Sequence, residues 1–312
     1  MTRYFALLLL IVPALAFAQA PMPPEYQSVL TTLGKQGDFK DNVLRVNIPR
    51  NDLHVSVDGV ATPTPFGFGG WLALTKGTGG MDVMMGDLVL TEDEVNPVMS
   101  ALLTNGLDVT ALHNHFFFDT PRIYYMHVHG HGSAADLAAK VKPAIMLIGA
   151  PPSNIRSSGP SGPPAGPSAN GRAISGTLDS AALAKIVGYD GEQNAAVYKI
   201  TIGRPDIPLK EMGASINSRM GLNTWAAFYG NDTDAVVAGD IAMLDRELTP
   251  VLKSLRGSGI DVVAIHHHMT GTDPQVIFLH YWGKGPAQKL ATAFRSAIDQ
   301  TGARPHATAA QR

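Results

Sequence analysis

Two stretches of this chain lie over one another without a gap. ALHNHFFFDTPRIYYMHVHGHG runs from Ala111 to Gly132, and AIHHHMTGTDPQVIFLHYWGKG from Ala264 to Gly285. His113 falls on His266, His115 on His268, His127 on His280 and Pro121 on Pro274. The register extends well beyond these stretches. Leu33-Gly34 falls on Val187-Gly188, Arg50 on Arg204, Asp52 on Asp206, Gly59 on Gly213 and Trp71 on Trp225, all 154 positions apart. After the turn TKGTGG the offset is 153, which carries Gly86-Asp87 onto Gly239-Asp240, Glu94 onto Glu247 and Pro97 onto Pro250. A sequence written twice at this period must fold as two copies of one unit. Each copy, at about 120 residues, is long enough to bury its own core.

The predicted organisation is a leader at 1–18, a first repeat at 26–149, a linker at 150–176, a second repeat at 177–302 and a polar, disordered tail at 303–312. The leader combines Arg3, an apolar run from Phe5 to Leu15 and the small-x-small site Ala16-Phe17-Ala18. This is the pattern of a secretory signal, too short to span a bilayer. Cleavage is expected after Ala18, because a cut after Ala20 would leave Pro21 at the new N-terminus. The expected compartment is the periplasm or the exterior. The linker is rich in Pro, Gly and Ser and lacks apolar periodicity.

The chain has no cysteine, which excludes disulfides, thiolate metal sites, a cysteine nucleophile and a lipid-anchored N-terminal cysteine. A formal net charge of −2 with sparse charged residues gives no nucleic-acid surface and no polybasic membrane patch. No stretch after the leader is apolar enough to cross a membrane. The expected partner is a small molecule or a cell-envelope ligand, and nothing in the sequence fixes the oligomeric state. Histidine is therefore the main soft ligand or base.

Each repeat reads as an α+β unit, an antiparallel sheet with helices packed on one side. A short helix spans Tyr26 to Leu33. VLRVNIP and LHVSVDG alternate and read as paired strands, and GGWLALT and MDVMMGDLVL as two more. TEDEVNPVMSALLTNG reads as a helix with a Thr91/Glu94 capping box and a stop at Gly106. Pro97 is comfortable there only if the helix begins near Glu94. LDVTALHNHFF and RIYYMHVHG read as strands joined through Asp119, Thr120 and Pro121, and SAADLAAKVKPAI as a closing helix. The second copy follows the same order and ends in the helix GPAQKLATAFRSAID.

Residues i and i+2 of a strand share a face, so His113 and His115 are neighbours on one side of the sheet. If His113 sits opposite His127 on the returning strand, Tyr125 sits opposite His115, and all four face the same way. The same holds for His266, His268 and His280. Three imidazoles per repeat then converge, a familiar zinc set that leaves one position open. Copper, nickel and iron also accept imidazole. A metal with an open position lowers the pKa of bound water and supports hydrolysis. The bland alternative is that these histidines hydrogen-bond across the junction between the two units.

Other candidates are weaker. Asp119 lies in the connecting loop as a fourth ligand or base, although Thr272 stands at its place in the second repeat. Glu94 and Glu247 are kept while Thr91 becomes Leu244, so a role toward a histidine competes with that of a dipole-favoured acid in a first helical turn. His129 and His131 have no counterparts, since Trp282 and Lys284 stand there, and read as polar residues at a strand end. His267 points to the opposite face and reads as packing. Asp87 and Asp240 read as turn residues, Arg50/Asp52 and Arg204/Asp206 as local ion pairs in turns, and Trp71 and Trp225 as core.

The strings GDLVLTEDEVNPVMSALLTNG, TALHNH and PRIYYMHVHGHG, with AIHHHM and FLHYWG of the second repeat, resemble the LppY/LpqO-type family of bacterial exported proteins. Its repeat is a domain of unknown function. The resemblance covers both units, about Tyr26 to Thr301. Some members are lipoproteins; without the required cysteine, this chain is implied to be a free periplasmic form. The family brings no activity with it.

Two functions follow: a metal-dependent exported hydrolase, or a non-catalytic periplasmic protein that binds a metal or small ligand. A lysostaphin-type zinc peptidase acting on peptidoglycan would use His54-x-x-x-Asp58 and His127-x-His129, but Pro208 and Met212 replace the first pair in the second repeat. A two-histidine phosphoesterase is also duplicated, but it uses His-x-Thr or His-x-Ser, and here both second positions are histidine.

Overall fold

The computed structural model describes residues 20–150 and 171–303. The leader, the greater part of the linker and residues 304–312 lie outside these. The first repeat opens with α1 (Pro24–Leu33), followed by β1 (Gly37–Lys40), β2 (Val43–Pro49), β3 (Val55–Val57), β4 (Val60–Thr62), β5 (Gly69–Lys76) and β6 (Asp82–Thr91). Then come α2 (Glu92–Thr104), β7 (Asp108–His113), β8 (Asp119–Thr120), β9 (Ile123–Gly132) and α3 (Ala134–Ile145). The second repeat runs α4 (Ser180–Val187), β10 (Gly191–Asn194), β11 (Val197–Gly203), β12 (Lys210–Glu211), β13 (Ala214–Ser215), β14 (Asn223–Gly230), β15 (Ala235–Leu244), α5 (Asp245–Gly257), β16 (Asp261–His266), β17 (Val276–Gly285) and α6 (Ala287–Ile298).

The main sheets have the same antiparallel order, β1-β2-β5-β6-β9-β7 and β10-β11-β14-β15-β17-β16. Alternation along each strand divides its side chains between two environments. On β5, Leu72 and Leu74 join the core beneath the helices, while Ala73 turns the other way. That other face meets the second sheet. One shared core joins Phe66, Val89 and Phe116 to Val197, Tyr229 and Trp282. Its counterpart joins Val43, Val83 and Met85 to Leu209, Met220 and Phe278. The layers are helices, sheet, sheet, helices, with both sheets covered on both faces. This explains why strands such as MDVMMGDLVL read as nearly unbroken apolar runs rather than as half-polar ones.

The helices and sheets match the expected α+β class, and three local expectations are corrected. LHVSVDG contributes only β3, which pairs with β4 and β8 in a small side sheet, whereas β2 pairs with β1 and β5. α2 begins at Glu92 rather than Glu94, so Pro97 lies inside it, as Pro250 lies inside α5. His113 sits opposite Tyr125, and His127 opposite Ala111, with an irregularity between Val109 and Ala111. This slip of two residues keeps every side chain on its expected face, because the period of a strand is two.

Candidate metal centre between the sheets

The six matched histidines meet where the two sheets face each other. His113 and His266 end β7 and β16, and His115 and His268 lie just beyond those ends. His127 and His280 lie within β9 and β17. His115, His127, His266, His268 and His280 are 2–8% exposed. Each outer histidine stacks on an aromatic of its own repeat, His115 on Tyr125 at 3.2 Å between ring centres and His268 on Phe278 at 3.4 Å.

Two of the three metal-capable groups among the described residues draw on both repeats. Ligand atoms of His113, His115 and His280 lie within 4.8 Å of one another, as do those of His113, His127 and His266, and those of Asp240, His266 and His280. Neither expected trio forms one of these groups as a whole: in one, the His113-x-His115 pair is joined by His280 of the other copy, and in another His113 and His127 are joined by His266. Ring separations show a pseudo-twofold. His113–His115, His113–His280 and His115–His280 lie at 5.1, 5.0 and 3.6 Å. Their counterparts His266–His268, His127–His266 and His127–His268 lie at 5.1, 5.3 and 4.1 Å. Sequence parity placed the rings on one face but gave no information about how the two sheets face each other.

The nitrogen contacts carry a further constraint. His113 Nε2 is 3.2 Å from both His115 Nε2 and His280 Nε2. His280 Nδ1 lies 3.1 Å from the Gly239 carbonyl and must donate to it, which leaves Nε2 with a lone pair. His127 does the same with Gly86 at 3.1 Å, and its Nε2 is buried without a partner. If His113 Nε2 carries the proton, it donates to His280 and leaves His115 at most a shared bond; if it does not, its lone pair faces that of His280 at 3.2 Å. A cation held between the three lone pairs resolves the conflict. Metal–nitrogen bonds of about 2.0–2.1 Å give a tetrahedral edge of about 3.3 Å, which is close to the observed separations. The carbonyls of Gly86 and Gly239 set the tautomer of a ligand in the usual way.

Asp87 and Asp240 complete the cluster. They pair across the sheet with His127 and His280. Asp240 Oδ2 is 3.3 Å from His268 Nε2 and 3.9 Å from His280 Nε2, and Asp87 Oδ2 is 4.0 Å from His115 Nε2. Each carboxylate keeps a buried oxygen, Oδ1, without a partner. These residues are mid-strand and not in turns, which corrects the sequence reading. The available signal was a lone acid inside an apolar strand, kept in both copies. Burial, and then the charge of Asp240, pushes the Asp87 carboxyl well above the usual range, and burial pushes Asp240 up. Burial lowers all six imidazoles, His280 to about 4. At neutral pH the rings are therefore uncharged and offer lone pairs.

A cavity of about 650 Å³ opens onto His115, His268 and His280. Trp71 and Trp225, expected in the core, are half-buried: each packs against an inter-sheet core and also lines this cavity, with the Arg45 guanidinium over Trp71 at 3.6 Å and the Lys199 ammonium over Trp225 at 4.1 Å.

The weaker candidates go elsewhere. Glu94 accepts from Arg50 at 2.6 Å and from the amides of Thr91 and Gly149 at 2.8 and 2.7 Å. Glu247 accepts from Arg204 and from the amides of Leu244 and Gly302 at 2.9 Å each. The glutamate outlasts the capping threonine because its partners are an arginine and two backbone amides, none of which needs Thr91. Arg50 and Arg204 also hold Asp52 and Asp206, as expected. Asp119 accepts from the Ile123 amide at 2.7 Å and joins none of the metal-capable groups among the described residues. His129 lies 3.0 Å from Glu211 of the other repeat. His267 contacts the Val276 carbonyl at 3.3 Å, the place where Asn114 binds the Ile123 carbonyl. The lysostaphin-type set does not form: Asp58 pairs with Lys284 at 3.6 Å, and neither His54 nor Asp58 enters a metal-capable group among the described residues.

Fold and site together define a two-repeat α+β protein with buried histidines, capable of holding metal, where its repeats meet. The chain belongs to the family described as Domain of Unknown Function (DUF1259), whose model matches twice, over residues 27–147 and 181–300. No curated protein matches it. Two solved structures resemble it weakly at 10% identity. They are the trimeric bacterial microcompartment shell protein PduB (TM-score 0.19, covering 83% of this chain and 89% of that one) and EtuB from Clostridium kluyveri (TM-score 0.20, 89% and 93%). Likeness at that level carries no argument. No helix among the described residues is long and apolar enough to cross a membrane.

Proposed function

We propose that this is an exported protein of LppY/LpqO type that binds a divalent metal, zinc before copper, nickel or iron, at a centre built jointly by its two repeats. The observation that carries the reading is His113 Nε2 at 3.2 Å from two other imidazole nitrogens, a convergence of three ring nitrogens that one N–H serves poorly and a cation serves well. Export rests on the leader pattern at Arg3 to Ala18. The cavity reaching His115, His268 and His280 gives a bound ion an approach for water and substrate, which favours metal-assisted hydrolysis. The near-complete burial of the imidazoles favours the second reading, a non-catalytic metal- or ligand-binding protein.

Elemental analysis of untagged protein decides the first point. At least one equivalent of metal is expected, and it should be lost in a His115→Ala/His268→Ala double variant. A chain that carries no ion and takes up none from zinc solutions overturns the reading. Turnover of ester or phosphoester panels by the loaded protein, abolished by chelation, separates hydrolase from binder.

A further inference from the structure

Arg45 on β2 and Lys199 on β11 are equivalent positions of the two repeats. Their neighbours have drifted, Asn47 to Thr201 and Gly69 to Asn223, yet the positive charge persists. Both line the cavity that opens onto the histidines. Each head group is held over a tryptophan of its own repeat, which fixes it without neutralising it. Arg45 also donates to the Arg219 carbonyl at 2.7 Å. No carboxylate lies within ion-pair distance of either cation among the described residues. Asp87, Asp240 and Glu192 line the same cavity and their charges act on the two cations from a distance, but none touches either head group.

The geometry points to an anion site between Arg45 and Lys199, in which the phosphoryl group of a small organic phosphate binds beside the metal centre. Partly buried cations with no carboxylate in contact are costly unless a ligand supplies a close negative charge. Here that cost shows as low pKa values: burial brings Arg45 down to about 9, and burial followed by the charge of Arg45 brings Lys199 down to about 8. A planar guanidinium fork and a point-charge ammonium are the two usual phosphate-binding heads. The volume, about 650 Å³, far exceeds a bare phosphate and leaves room for an organic remainder. The site deepens the metal-centre reading and rests on it for the ion beside the phosphoryl group. The cationic pair itself is present with or without metal.

The test is calorimetric titration of the full chain, zinc-loaded and zinc-free, with phenyl phosphate, inorganic phosphate and benzoate. The wild type should bind phenyl phosphate more tightly than benzoate. Arg45→Met and Lys199→Met should each weaken it at least about tenfold, since a charge-assisted contact is lost, and the double variant should not bind. Arg45→Lys, which keeps the charge but not the planar fork, should bind more tightly than Arg45→Met and guards against a folding defect in that variant. The proposal is overturned if the wild type binds phenyl phosphate in neither state, if benzoate binds equally well, or if the double variant binds as the wild type does. A chain that takes up no zinc but binds phenyl phosphate through Arg45 and Lys199 upholds this site while overturning the metal centre.

Discussion

His113 and His266, the same position in the two repeats, stack ring on ring at 3.7 Å across the junction between the sheets. Neither repeat contains this contact alone. The stack makes the six histidines one cluster and puts His113 in two of the three metal-capable groups. His113→Ala should therefore weaken zinc binding by more than about 100-fold, beyond the 10- to 100-fold typical of losing an outer hydrogen-bond partner. His131→Ala, on the exposed strand end that has no counterpart, should leave affinity unchanged. Competition with a chromophoric chelator measures both, and equal affinities for the two variants would remove His113 from the site.

Acid should unfold the metal-free protein early. The six imidazoles have folded pKa values below the unfolded value of about 6.5, so the unfolded chain binds protons that the folded chain excludes. Their contribution is complete above that value and is lost as pH falls through it toward the folded values, by up to about 1.4 kcal/mol per pH unit for each ring. Asp87 and Asp240, with raised folded values, act in the opposite direction from about pH 3.8 upward, but they are two against six. Thermal melts at pH 7.5 and 5.5 should show a large drop in Tm. Zinc should move the acid midpoint lower, because ligation requires neutral imidazole.

Asp240→Asn separates stability from binding. In the metal-free chain the Asp240 carboxyl is buried and its charge acts on Asp87, so replacing it with a neutral amide should raise Tm. The same change removes a candidate ligand atom from the Asp240/His266/His280 group and should lower zinc affinity at least about tenfold. Melts and chelator competition on one sample read both signs. A variant less stable without metal and unchanged in affinity would show that Asp240 is a structural residue.

The duplication made the two units, their strands and the common face of the histidines legible, because a two-residue period survives a two-residue slip in register. Which histidines become neighbours was not legible. The exchange of His280 toward His113 and His115 depends on how two sheets pack, and strand periodicity within one repeat carries no information about that. Asp87 and Asp240 were hidden by their glycines, which suit a turn as readily as a crowded strand. At Gly86 an added Cβ would lie 2.6 Å from Leu72 and 2.8 Å from Val128, so the glycine is there for close packing. Arg45 and Lys199 carried a signal in their shared charge, but nothing local showed that both sheets aim that charge into one cavity.

Glu94 and Glu247 test the boundary of the site from outside. Glu94 and Arg50 are both buried, and their ion pair spans 2.6 Å. Removing one partner of such a pair strands the other charge, at a cost of about 3–5 kcal/mol. Glu94→Ala also deprives the Thr91 and Gly149 amides of their acceptor. The variant should melt well below the wild type by circular dichroism, yet hold zinc with undiminished affinity at temperatures where it is folded. Glu247→Ala should do the same through Arg204, Leu244 and Gly302. A Glu94 variant of ordinary stability that has lost its metal would return the glutamate to the site and show the Arg50 pair to be incidental.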